Sequence, residues 1–404
     1  MHKLTSIILS VMLAVGMVTA AGTSSAEAAA PEYRVVQDRV IELTYNEFDF
    51  DAGAAYLNKF DLQKSGCSAV RVLVDGKVYV GRNYDFYCSN APAFIIRNNA
   101  GSIRTIGIGN SPDSMEAWSD DFQLREAALS YLPYLCSDVM SETGLYCECN
   151  IRPYEEALSC QSTNPGAPRR CTQTFMQTML TQYATINEVL AHLNDYDWFD
   201  LSAQGFEESF LLTDQSGRSV IIEFGANRVM WQEAEYNGNF FLNDELYAIE
   251  TIGCGELRLA HELALKPFVR TEEDIFTMME AGSYGQFYEA DADPSYAYPE
   301  FYEMTGYNKN TAAADMEGCL AATQAQIDKY ASYTWEQLIA ASYTWEEWTN
   351  EMTLAERVAE GTWNERVTEK TWESVFIVAA NVTDLYMHVH FSEHYGIDFT
   401  VAFD

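Results

Sequence analysis

Two β-rich runs meet at Asp75-Gly76 in the stretch GCSAVRVLVDGKVYVGRNYDFY, residues 66 to 87. An Asp-Gly pair takes positive φ at both central turn positions at little cost, and the resulting turn matches the twist of its flanking strands. The stretch therefore predicts a tight antiparallel hairpin that begins at Cys67. Further runs repeat the pattern. AFIIRN and SIRTIGIG read as a second strand pair, GLYCECNI as a strand, and SFLLTDQSGRSVIIEF as a hairpin turning on Gln215-Ser216-Gly217. The C-terminal stretch from Glu373 reads as strand, turn, strand, turn, strand.

Helical spacing of apolar residues falls between and after these runs. TQTFMQTMLTQYATINEVLAHLNDYDW predicts two helices, the second capped by Thr185. ELRLAHELALK and TEEDIFTMMEA predict two more, the latter with a Thr cap and an acidic first turn. Hairpins, then helices, then hairpins imply antiparallel sheet with helices on its outside, an α+β fold. Residues from about 290 to 370 are rich in Tyr, Glu and Trp and read as a helical insertion. ASYTWE occurs there twice, at 331 and 341, nearly three helical turns apart. A single duplication is not a repeat architecture, and a local surface elaboration accounts for it.

The first residues, MHKLTSIILSVMLAVGMVTAAGTSSAEAAAPE, have a short positive start, an apolar run from Ile7 to Ala20, and small residues with A-x-A-like sites. This predicts a signal peptide over residues 1–30 and an exported protein, secreted or held in the cell envelope or periplasm. The run is too short to span a bilayer comfortably, and no later stretch is a better candidate. Residues 31–66 are polar and mixed and read as a propeptide, leaving 67–404 as the working domain. With 60 acidic and 24 basic residues the formal charge is −36. Such a surface repels phosphate backbones, which argues against a nucleic-acid partner, and offers no long-range attraction to anionic membranes or substrates.

There are nine cysteines, at 67, 88, 136, 147, 149, 160, 171, 254 and 319. In an exported chain an even set reads as disulfides and the odd one as a thiol with a use. Cys160 and Cys171 bracket the turn-rich loop QSTNPGAPRR and form the expected disulfide. Cys147 and Cys149 share one strand face. No histidine lies near them, so a structural disulfide or buried thiols are favoured over metal. No metal or cofactor is expected.

Cys67 is the candidate for the odd thiol. It follows Gly66, which tolerates strain at a scissile bond, and it follows the propeptide-like segment. Attack of its own thiol on the Gly66 carbonyl would release Cys67 as a new N-terminus. Thiol and α-amine then sit on one residue, and an amine with an ordinary pKa near 7.7–8.0 can act as the base at neutral pH. The histidines at 261, 388, 390 and 394 show no triad spacing.

Cys67 and GRNYDF, Gly81 to Phe86, with the arginine fifteen residues after the cysteine, resemble the linear amide C–N hydrolases of the choloylglycine hydrolase family, which includes bile salt hydrolases and penicillin V acylases. LPYLCSDVMSETGL, YATINEVLAHLNDYD, FLLTDQSGRSVIIEF, GNFFL and TWESVFIVAANVTDLYMHVHF match further family segments in order. The resemblance implies the four-layer αββα sandwich of the N-terminal-nucleophile hydrolases. It implies hydrolysis of an N-acylated small molecule through a thioester: a conjugated bile acid, penicillin V or another N-acyl amine.

The same resemblance implies Cys67 as nucleophile and, through its amine, base. Asp85 would orient the amine and thiol, and Arg82 would favour thiolate. The Asn239 side chain and the Ser141 backbone N–H would bind the oxyanion, and Arg258 would be the second arginine. Ser141 stands where the family has asparagine, Gly238 stands where it has threonine, and Asn237 and Asn243 are rivals to Asn239. A ceramidase-like or acyltransferase enzyme on this fold, or an exported binding protein that keeps the fold without the chemistry, is the alternative. The oligomeric state is left open.

Overall fold

The computed structural model describes residues 30–37, 40–57, 66–86, 93–109, 129–153, 159–200, 206–247, 259, 262–263, 265–281, 373–391 and 398–403. Their strands form two main sheets. The larger runs in the order β1 (Glu32–Gln37), β2 (Val40–Tyr45), β5 (Ala93–Asn98), β6 (Thr105–Gly109), β7 (Asp138–Ser141), β8 (Leu145–Pro153), β11 (Phe206–Asp214), β12 (Ser219–Gly225), β13 (Arg228–Glu233). The smaller runs β14 (Tyr236–Asn237), β3 (Gly66–Val74), β4 (Lys77–Phe86), β15 (Glu373–Asn381), β16 (Tyr386–Phe391), β17 (Asp398–Ala402). A short parallel pair, β9 (Arg169–Cys171) and β10 (Asp197–Phe199), lies apart. In the two main sheets every pairing is antiparallel except β2 with β5.

Strand alternation sorts the apolar residues into three layers. Val139, Leu145, Phe210, Leu212, Ile222 and Phe224 form the outer face of the larger sheet, under helices Phe175–Leu180 and Ile186–Ala191. Val80, Ile95, Ile106, Met140, Tyr146, Leu211, Phe376 and Val378 fill the space between the sheets. Val70, Val72, Ile377 and Ala379 form the outer face of the smaller sheet, under helix Glu272–Ala281. Helix, sheet, sheet, helix is the αββα sandwich of an α+β fold. Burying each large side chain contributes roughly 1.5–3 kcal/mol, so the two interior faces of each sheet dominate its stability.

Local signals act where they were expected. Asp75 at φ 51° and Gly76 at φ 80° make the turn between β3 and β4. Thr185 accepts from the Glu188 N–H while Glu188 reaches back to the Thr185 N–H, a full capping box. Thr271 caps helix Glu272–Ala281 through the Asp274 N–H. Gly81, within the GRN motif, has a packing reason: a Cβ there would lie 2.7 Å from Ile275 Cγ2. A side chain at that position would push this helix off β4.

Two findings add to the sequence reading. Residues 31–66 contain β1, β2 and helix Phe50–Leu57. β2 pairs along its length with β5, and Val40, Ile41, Leu43 and Tyr45 are buried. The alternation in VIELTY was a strand signal in a segment read as propeptide. Among the described residues the expected Cys160–Cys171 disulfide is not found: both residues are buried, and Cys160 donates to the Trp198 carbonyl at 3.3 Å. Cys88, Cys254, Cys319 and the 290–370 segment lie outside the described residues. Among the described residues no helix is long and apolar enough to cross a membrane.

Candidate active site

The hairpin sets the site's first axis. In its register Cys67 faces Tyr84, Ala69 faces Arg82, and Gly66 faces Asp85. Alternation turns Cys67, Ala69, Arg82 and Tyr84 toward the intersheet space. Arg82 and Cys67 are both fully buried. Arg82 Nη2 donates to Cys67 Sγ at 2.9 Å and to the Cys149 carbonyl at 2.9 Å. Its guanidinium lies 4.9 Å from the Tyr84 ring centroid, and that ring stacks on Phe376.

A guanidinium in the interior needs compensating charge, because desolvation of an ion costs several kcal/mol. Asp138 on the opposite sheet supplies it. Asp138 on β7 and Glu148 on β8 are register partners, both fully buried. Arg82 Nη1 donates to Asp138 Oδ2 at 2.8 Å, and Arg82 Nε lies 3.5 Å from Glu148 Oε2. Tyr146 donates to Asp138 Oδ1 at 2.5 Å and Ser137 to Oδ2 at 2.8 Å. Asn237 Nδ2 donates to Glu148 Oε1 at 2.9 Å.

Burial alone would lower the Arg82 pKa, but Asp138, Cys67 and Glu148 outweigh it and hold the guanidinium charged. Burial pushes the Glu148 carboxyl up to about 8, against the opposing pull of Arg82 and of the Asn237 hydrogen bond. Burial also raises Asp138, with Arg82 opposing. Asp138 takes the direct bond to Arg82. The thiols of Cys136, Cys147 and Cys149 are all pushed up by burial, which makes them poor nucleophiles.

Asn239 comes to Cys67 from the loop after β14. Its Oδ1 accepts the Cys67 backbone N–H at 3.2 Å, and its Nδ2 donates to the Ile151 carbonyl at 2.5 Å. Of the rivals, Asn237 is committed to Glu148 and Ser209, and Asn243 receives the Glu245 N–H at its side chain. Asp85 is fully buried opposite Gly66, on the strand face shared with Asn83. Asn83 donates to the Met279 carbonyl and to Glu262, which also accepts from Ser68.

The role expected of Ser141 belongs to its backbone N–H; its side chain turns away from Arg82. Val139 packs in the outer layer and Met140 in the inner one, so alternation leaves Asp138 facing Arg82 and Ser141 facing away. The Ser141 hydroxyl accepts the Leu145 N–H and meets the Thr143 hydroxyl, shaping the β7–β8 turn. Arg258 lies outside the described residues. Sequence reasoning missed Asp138, Tyr146 and Glu148. Asp138 stood within SDVMSETGL, three residues before Ser141, and Glu148 stood between the two cysteines of LYCECNI. Each is an acidic residue inside an otherwise apolar strand, which is a signal for a buried partner. Cys147 and Cys149 share the outer face of β8, as alternation requires. Among the described residues no cluster of His, Cys, Asp or Glu is arranged to hold a metal ion.

Residues 67–233 match the family model described as linear amide C–N hydrolases, choloylglycine hydrolase family. Among solved structures, a mutant conjugated bile acid hydrolase from Clostridium perfringens aligns at TM-score 0.43 and 10% identity, over 83% of this chain and 92% of that one. A penicillin V acylase from Agrobacterium tumefaciens aligns at TM-score 0.40 and 12% identity, over 83% and 86%. No curated protein matches the chain.

Proposed function

We propose, from the match of residues 67–233 to the model of the choloylglycine hydrolase family of linear amide C–N hydrolases, that this chain is an amidohydrolase that uses Cys67 as an N-terminal nucleophile. The observation that carries the reading is the convergence on one residue. Arg82 Nη2 lies 2.9 Å from the Cys67 thiol, and Asn239 Oδ1 lies 3.2 Å from its nitrogen. Thiol and nitrogen are the two groups the chemistry needs, and each has a dedicated partner.

Maturation comes first. The Cys67 thiol adds to the Gly66 carbonyl carbon, and the C–N bond breaks as the Cys67 nitrogen takes a proton. Water then hydrolyses the Gly66 thioester, leaving a Gly66 carboxylate and a Cys67 that carries both thiol and α-amine. In turnover the α-amine takes the thiol proton as sulfur adds to the substrate carbonyl. It passes that proton to the departing amine, and water releases the acid from the thioester. Arg82 holds negative charge on sulfur, and Asn239 orients the amine through its Oδ1. Asp85, opposite the scissile bond, steadies the new terminus.

The substrate is an N-acylated small molecule of the conjugated bile acid, penicillin V or N-acyl amine kind. The leader over residues 1–30 exports the precursor. The test is protein recovered from a secreting host, analysed by mass spectrometry and assayed on a panel of N-acyl amides. A chain starting at Cys67 with amidase activity, and a Cys67→Ala protein that is uncleaved and inert, is the expected result. An active form with Gly66 and Cys67 still joined would overturn the mechanism.

A further inference from the structure

Asn150 stands on the inner face of β8, one side-chain step beyond Glu148. It is fully buried, and among the described residues neither its Nδ2 nor its Oδ1 has a hydrogen-bond partner. Native interiors rarely leave both ends of an amide unmade, because each open group keeps its full desolvation cost. An amide left so is set aside for something that arrives later.

Its neighbours locate it. The Cys149 carbonyl accepts from Arg82 Nη2, the nitrogen that also donates to Cys67 Sγ. The Ile151 carbonyl accepts from Asn239 Nδ2, whose Oδ1 holds the Cys67 nitrogen. Asn150 is therefore pinned between two carbonyls, each a single side chain removed from Cys67, one from its thiol and one from its nitrogen. The other amides here are spent: Asn239 Nδ2 on Ile151, and Asn237 Nδ2 on Glu148 and Ser209.

We propose that Asn150 is a substrate-contacting catalytic residue that recognises the tetrahedral state of the scissile secondary amide. A trans amide points its carbonyl oxygen and its N–H to opposite sides, but once the carbon is tetrahedral the C–N bond can turn and bring the oxyanion acceptor and the N–H donor to one side. Asn150 presents the complement, an Nδ2 donor and an Oδ1 acceptor. As Cys67 Sγ bonds to the carbonyl carbon, the C=O π pair moves onto oxygen, and Nδ2 donates to that oxyanion. Oδ1 accepts the N–H of the departing nitrogen, fixing it as the C–N bond breaks and the nitrogen gains its proton from the Cys67 α-amine. The inference rests on the amidohydrolase reading above, and it moves the side-chain oxyanion donor from Asn239 to Asn150.

The experiment compares wild type, Asn150→Ala and Asn150→Asp in steady-state hydrolysis of N-acyl amides, thermal unfolding, and the rate of Cys67 alkylation by iodoacetamide. Asn150→Ala should lose roughly 10²–10³ in kcat, the usual loss for one oxyanion donor. Its Tm should be unchanged or higher, since an unmet buried amide is gone, and Cys67 should alkylate at the wild-type rate. Asn150→Asp keeps the shape and the acceptor but loses the donor, so it should lose at least as much. If active wild type is matched within twofold by a folded Asn150→Ala, the inference falls and the amidohydrolase reading stands. If the variants lose Tm and Cys67 alkylation together with activity, Asn150 is structural and the inference likewise falls. If Asn150→Ala does not fold, Asn150→Asp alone decides, by its kcat at wild-type alkylation rate. Wild type with an alkylatable Cys67 and no turnover of any N-acyl amide would overturn both readings.

Discussion

Arg82 and Asp138 face each other across the intersheet layer, Nη1 to Oδ2 at 2.8 Å, with both side chains fully buried. The pair fixes how the two sheets meet at the site, since Arg82 belongs to β4 and Asp138 to β7. It also decides what a substitution does. Removing one partner of a buried pair leaves an uncompensated charge, which typically costs about 3–5 kcal/mol.

Arg82→Met should therefore destabilise the protein by about that amount and abolish turnover. Arg82→Lys keeps the charge but cannot bridge Asp138, Cys67 Sγ and the Cys149 carbonyl at once. It should fold with a lower Tm and alkylate at Cys67 more slowly at neutral pH. Denaturation curves and iodoacetamide kinetics check both; an Arg82→Lys protein with wild-type alkylation would remove Arg82 from thiol activation.

Asn239 holds the Cys67 nitrogen through an acceptor, so its substitution should act on maturation as well as turnover. Asn239→Ala should slow cleavage at Gly66-Cys67 and lower kcat by roughly 10-fold or more, the scale of a lost hydrogen bond to a charged group. Asn239→Asp keeps an acceptor and should process better than Asn239→Ala. Pulse-chase followed by mass spectrometry reads the order. Equal processing of the two variants would show that the Oδ1 contact has no part in cleavage.

Ser141→Ala should leave kcat within about twofold, because its side chain faces away from Arg82 and a backbone N–H donor survives the change. It should lower stability by about 1 kcal/mol through the lost hydrogen bond to the Leu145 N–H. A large kcat loss at unchanged Tm would give the Ser141 side chain a part in the site.

Glu148 gives a pH signature. Burial raises its carboxyl from the ordinary range to about 8 in the folded protein. The unfolded chain ionises Glu148 well below that pH while the fold keeps it protonated. Its contribution is therefore fully present below the ordinary glutamate pKa and is lost as pH rises toward about 8. Glu148→Gln keeps an acceptor for Asn237 and cannot ionise. Its Tm relative to wild type should rise between about pH 5 and pH 8. A flat difference across that window would contradict the raised carboxyl.

Cleavage at Cys67 should not shed the segment before it. β2 is a buried inner strand of the larger sheet, and Arg97 pairs with Glu42 at 3.1 Å. Mature protein purified without denaturant should carry a second peptide containing residues 40–57, released only on unfolding. A mature enzyme of the same Tm lacking that peptide would show the segment to be dispensable.

The β3–β4 hairpin was legible in the sequence because Asp75-Gly76 and strict alternation are local signals, and they alone bring Arg82 within reach of Cys67. The helix caps at Thr185 and Thr271, the Gln215–Gly217 turn and the shared face of Cys147 and Cys149 were legible for the same reason. Motif order placed Cys67, Arg82 and Asn239 in one site. Only the tertiary structure decided what lies across from them. Asp138, Glu148 and Asn150 reach the site because β7 and β8 pack over β3 and β4, a contact between sheets that leaves no spacing in the chain. The Ser141 side chain turns to the outer layer, since one residue's step along a strand turns a side chain to the opposite face. VIELTY, in the segment read as propeptide, forms an inner strand because β5, some fifty residues later, offers it a partner edge.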